Sequence, residues 1–146
     1  MVRPLLIPAH QRRLHISCRP GPDIPISHIA DDEALQGSDI YTPDDIPPVD
    51  YLIITHDHYD HLDYATVKAL KDRIGSVICP LGVGEHFEYW GYPPESIIEL
   101  DWDESVTLPS GQLVTCLPAR HFSGRFLRQN PTLWHRSCSK QHNRIY

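Results

Sequence analysis

Thr55-His56-Asp57-His58-Tyr59-Asp60-His61-Leu62-Asp63 is the stretch on which the reading of this chain turns. Three histidines and two aspartates fall between His56 and His61. Imidazolium groups so close together would repel, so the arrangement favours neutral rings that share a cation. The stretch directly follows Val49 and Tyr51-Leu52-Ile53-Ile54, a short apolar run of β-formers that reads as a buried strand. At the frayed end of a strand the side-chain period of two puts His56 and His58 on the same side, whereas helical positions two apart diverge. Both rings can therefore reach one ion. The chain then turns through Tyr59 and brings Asp60 and His61 round to a neighbouring position. Carboxylate oxygen with imidazole nitrogen suits zinc, with iron or manganese as alternatives. The competing account is a solvated loop in a chain that holds ten histidines. The strand before it and the helix cap after it favour the metal.

Working outward, Asp63 is placed as an N-cap, and Tyr64, Val67, Leu70 and Ile74 recur at helical spacing until Gly75 closes the helix. Ser76-Val77-Ile78-Cys79 reads as a strand ended by Pro80. Gly84 to Trp90 is a short helix with Phe87 and Trp90 on one face, broken by Gly91-Tyr92-Pro93-Pro94. Residues 97–100, 105–108 and 112–117 read as strands, the last two joined by a turn at Pro109-Ser110-Gly111. On the other side, residues 42–48 are a turn-rich approach. Residues 1–35 carry no sustained apolar period and are broken by Pro20-Gly21-Pro22 and Pro25. Strand, helix, strand, helix and then several strands suit an α/β layer architecture with helices outside a sheet.

A chain of 146 residues has room for one domain with a core. No stretch reaches the length of a membrane span, and no export signal is legible. Cys18, Cys79, Cys116 and Cys138 are widely spaced, which reads as reduced thiols in a cytoplasmic protein. The net charge of -6 is unevenly laid out: all 19 acidic residues lie between Asp23 and Glu104, and both ends are purely basic. Basic ends suggest nucleic-acid arms or simply solvated termini.

Thr55 to Asp63 resembles the H-x-H-x-D-H signature of metallo-β-lactamase-fold hydrolases. The similarity is greatest to the branch that holds L-ascorbate 6-phosphate lactonase-like proteins and N-acyl-phosphatidylethanolamine-hydrolysing phospholipase D. Leu81-Gly82-Val83-Gly84-Glu85-His86-Phe87 with Trp90-Gly91, and Pro118-Ala119-Arg120-His121-Phe122-Ser123-Gly124-Arg125, resemble the same branch. The match runs from about Ile40 to Trp134. The resemblance implies that His56, His58 and His121 bind a first metal, and that Asp60 and His61 bind a second. It implies one or two zinc ions, with iron or manganese as alternatives. A metal-bound hydroxide would then attack an ester, lactone or phosphodiester of a small-molecule or lipid-like substrate, with Asp60 as the catalytic carboxylate. Arg125 is a candidate for an anionic substrate group, against an ordinary surface arginine. His86 is expected to pack rather than ligate, and His10, His15 and His28 to face solvent.

The resemblance implies an α/β chain with a partial αββα sandwich: its first half, a mixed sheet with outer helices. Residues 1–35 are expected to be weakly structured, 36–134 to form the partial domain, and 135–146 to be a polar tail unable to serve as a buried strand. The expectation is therefore a truncated family member, whose uncovered sheet face would favour self-association. His135, Cys138 and His142 are either replacement ligands or part of that polar tail. Three functional readings follow: a hydrolase, a catalytically inactive metal-binding remnant, and an RNA-processing nuclease. The last ranks lowest because only six Lys/Arg lie between Asp23 and Trp134.

Overall fold

The computed structural model describes residues 13–14, 42–59, 61–125, 128–141 and 144–145. The apolar run before the histidines is the second strand of a parallel sheet. That sheet has the order β1 (Arg13–Leu14), β2 (Val49–Ile53), β3 (Ile74–Pro80) and β4 (Ile97–Leu100). A second, antiparallel sheet has the order β10 (Arg144–Ile145), β9 (Arg136–Gln141), β6 (Leu113–Leu117) and β5 (Ser105–Thr107). A small hairpin joins β7 (Gly124–Arg125) to β8 (Arg128–Gln129). Helices α1 (Tyr64–Leu70) and α2 (Gly84–Tyr89) follow β2 and β3 respectively.

Strand periodicity explains how the layers stack. Leu52 of β2 and Ile54 just beyond it, with Val77 and Cys79 of β3, join Val67 of α1 and Phe87 of α2 in one buried cluster. The alternate residues Ile53 and Ile78 join Leu100, Leu108, Val114 and Cys116 in a second cluster. The parallel sheet is thus covered by helices on one face and by the antiparallel sheet on the other. That is why its central strands are apolar nearly throughout.

This stacking corrects two expectations. The inner face of the first sheet is not bare: Ile53 and Ile78 pack there against Leu108, Val114 and Cys116. Nor are residues 136–141 a patternless tail: β9 pairs with β6 from Arg136↔Leu117 to Lys140↔Leu113. Its partners are instructive. Ser139 lies opposite Val114 and Ser137 opposite Cys116, so the residues beside the core are small and polar. Backbone pairing holds this strand, and an apolar pattern was never needed to signal it.

Asp63 caps α1 as its sequence suggests, accepting the Thr66 N–H at 2.8 Å. Gly75 does not close the helix. α1 ends at Leu70, a 3-10 turn spans Lys71–Arg73, and Gly75 already belongs to β3. A Cβ at Gly75 would stand 2.7 Å from the Asp50 carbonyl oxygen of the adjoining strand, so the glycine serves close strand approach. Cys79, Cys116 and Cys138 are free thiols, and burial pushes the Cys116 thiol up to about 11. Of residues 1–35 only Arg13–Leu14 is described, as β1. Cys18, His10, His15, His28 and His142 lie outside the described residues.

Candidate metal centre

The site begins where β2 leaves the sheet. Ile54 still donates its N–H to Ile78 O at 3.0 Å, after which the chain enters the histidine loop. The loop turns back on itself through His61 N–H and Leu62 N–H, which both reach His58 O, at 3.0 and 2.8 Å. Leu62 is fully buried and Asp63 caps α1, so this end of the loop is anchored as the strand end at Ile54 is. His135 adds a third anchor. Its backbone N–H reaches Thr55 O, and its Nε2 lies 2.9 Å from Ile54 O, which can only accept. The ring is thus held at the strand end through Nε2 and is not one of the converging trio, and Cys138, in β9 opposite Thr115, is not one either.

His121 arrives from the other sheet, on the loop that leaves β6. Trp134 Nε1–H holds Ala119 O at 2.9 Å, and the buried Ser123 Oγ accepts Thr132 N–H at 3.2 Å. Gly124 N–H reaches across to Asp57 Oδ1 at 2.9 Å. The result brings together residues 63 or more positions apart. Ligand atoms of His56, His58 and His121 all lie within 4.8 Å of one another. Ring centroids are 4.7 Å apart for His56–His58, 4.4 Å for His56–His121 and 4.9 Å for His58–His121. His61 joins them, 4.2 Å from His56.

Burial grades across the cluster: His56 is buried, His58 half-buried and His121 exposed. An ion held there would be anchored on the protein side and open to solvent on the other. His56 Nδ1 is 2.9 Å from Thr55 Oγ1, a partner of the kind that orients a ligating imidazole through its other nitrogen. Four imidazoles packed together, three of them in edge contact with ligand atoms within 4.8 Å of one another, are a donor set a divalent cation takes. The residues fit the group. Phe122, half exposed, lies 4.7 Å from His58 and forms an apolar wall beside the opening.

The structure brings together four of the sequence-derived candidates: His56, His58, His61 and His121. Asp60 lies outside the described residues, and so does the side chain of Arg125, whose backbone is in β7. His86 sits in α2 with its ring stacked on Trp90 at 5.8 Å and is not one of the converging trio. Sequence reasoning missed the parts played by Asp57 and Ser123, and weighed His135 only as a replacement ligand or part of a polar tail. A signal existed for Asp57, because the alternation that aligns His56 with His58 sends the residue between them the other way.

A strand-end histidine loop in one sheet, completed by a histidine from the other, defines a centre of the metallo-β-lactamase fold. The chain belongs to the beta-lactamase superfamily domain family, whose model matches residues 12–138. It is 52% identical over 90 residues to an uncharacterized protein of Mycobacterium tuberculosis, covering 61% of this chain and 24% of that one. It is 34% identical over 100 residues to N-acyl-phosphatidylethanolamine-hydrolyzing phospholipase D 1 of Caenorhabditis elegans, covering 62% of this chain and 28% of that protein. Among solved structures it is similar to CmlA, a diiron β-hydroxylase from Streptomyces venezuelae. The TM-score is 0.57 at 25% identity, over 74% of this chain and 22% of that chain. This chain thus spans about a quarter of the length of the curated relatives it matches. Among the described residues, no helix is long and apolar enough to cross a membrane.

Proposed function

We propose that this chain carries the metal-binding part of a metal-dependent hydrolase acting on an ester, lactone or phosphodiester, with a lipid-like substrate favoured. The observation that carries the reading is the convergence of His56, His58 and His121 from two sheets. The substrate class is supported by the likeness to a nematode phospholipase D. Zinc and iron both suit the donors, and the likeness to a diiron protein keeps iron level with zinc. When bound, such a cation supplies Lewis acidity and can lower the pKa of water to about 7.

The remaining work falls to the chain's own side chains. His56, His58 and His121 would hold one cation, and His61 with Asp60 a second. Asp60 would take up a proton at its carboxylate. Phe122 would flank an apolar substituent, and Arg125 would meet an anionic group. A second reading is a metal-binding chain without turnover, since the convergence of His56, His58 and His121 calls for an ion but not for a reaction.

Elemental analysis of the dialysed protein, paired with hydrolysis of a generic phosphodiester and of a lactone, separates the two. The hydrolase reading expects bound metal with turnover, and loss of turnover by about a hundredfold or more in Asp60→Ala. Metal without turnover on either substrate favours the second reading. No bound metal contradicts both.

A further inference from the structure

Asp57 stands between two of the candidate ligands, yet it is not one of the converging trio. Its side chain is completely buried, at 0% exposure. A carboxylate withdrawn from water to that degree is costly unless something holds it, so its contacts are informative. Oδ1 accepts the Gly124 N–H at 2.9 Å, across 67 positions of sequence. Oδ2 is sealed from solvent and has no hydrogen-bond partner among the described residues.

Gly124 lies three residues beyond His121 and opens β7. The other bonds that shape this loop stay within its own neighbourhood: Trp134 to Ala119, Asn130 to Ser123, and Thr132 to Ser123. Of these contacts, only the Asp57 bond crosses to the histidine loop. It therefore ties the segment bearing the third imidazole to the segment bearing the first two.

We propose that Asp57 is a positioning residue whose buried carboxylate, through Gly124 N–H, sets His121 against His56 and His58 and so completes the metal site. This rests on the metal-site reading above. Asp57 need not touch the ion; it acts through the backbone that carries His121.

The test is zinc affinity of the full chain by competition with a chromophoric chelator. His121→Ala is expected to lower it by about tenfold or more, which examines the metal-site reading on its own. Asp57→Ala is expected to lower it by about 10–100-fold, the range typical of a partner that orients a ligand. Asp57→Asn keeps an acceptor for Gly124 and is expected to stay within about threefold of the parent chain. In the His121→Ala background, Asp57→Ala should change affinity by less than about twofold, because the route through His121 is already gone.

An Asp57→Ala chain that binds zinc as the parent does overturns the proposal. So does an equal loss in both backgrounds, or an Asn variant that falls as far as the alanine. If the alanine variant does not fold, the Asn variant decides: threefold or less supports the proposal, and about tenfold or more overturns it. A His121→Ala chain with parental affinity removes the metal-site reading and this proposal together. A normal His121→Ala loss beside an unaffected Asp57→Ala removes the proposal alone.

Discussion

His56→Ala is expected to lower zinc affinity by about a hundredfold or more. Structural zinc sites bind with about 10–16 kcal/mol spread over four ligands, so one ligand is worth about 2.5–4 kcal/mol. His56 should stand at the upper end among the three. It is 6% exposed, grows from the anchored end of β2, and has Thr55 Oγ1 at 2.9 Å on its other ring nitrogen. Little motion remains to be lost when it binds, and the orientation of the ring is already set. His121, exposed on a loop, is less constrained and should cost less when removed. Competition titration of the variant against the parent measures this, with His86→Ala as a control expected to bind normally, since that ring stacks on Trp90. A His56→Ala chain with parental affinity would mean that the cluster is a packing feature.

The second large effect is on the core. Phe87→Ala is expected to destabilise the chain by about 3–5 kcal/mol, the range for removing a buried aromatic. Phe87 is fully buried among Leu52, Ile54, Val67 and Val83, between the parallel sheet and the helices. Its ring meets Tyr92 edge to face at 5.1 Å and Trp90 at 5.9 Å. Tyr92 is in turn fixed, donating its hydroxyl to Val67 O at 2.7 Å, so the surroundings cannot collapse easily into the void. Since single domains are stable by only about 5–15 kcal/mol, a loss of this size removes much of the margin. Urea unfolding should show the midpoint fall by about 1–3 M at an ordinary slope. A loss below about 1 kcal/mol would contradict the placement of this ring at the centre of the core.

How much of this was legible beforehand depends on which force writes the pattern. Apolar periodicity marks β2, β3 and both helices, and Asp63 marks the cap, because burial and capping each select residue types. β9 escaped for the opposite reason. Its interior neighbours are Ser137 and Ser139, and its stability comes from ladder bonds that any residue type can make. The same blindness produced the expectation of a bare sheet face, since the cover is completed through that strand. At the site, the histidines were legible because metal chemistry demands imidazole at fixed spacing. His121, 60 positions beyond His61 in the numbering, needed the family resemblance to be joined to them. Asp57 and His135 act by hydrogen bonds to backbone atoms of distant residues, Gly124 and Ile54, and no local pattern announces such a bond. Gly75 was misplaced because a glycine at a helix end and one required for close strand approach look alike until the neighbour at Asp50 is known.

The central claim is that imidazoles from both sheets share one ion. X-ray absorption at the metal edge of the zinc-loaded full chain tests it most directly. The expected result is nitrogen scatterers at about 2.0–2.1 Å with the outer-shell pattern of at least two imidazoles, reduced by one in His121→Ala. Sulfur at about 2.3 Å, or a shell of oxygen alone, would contradict the claim and move the ion away from His56, His58 and His121.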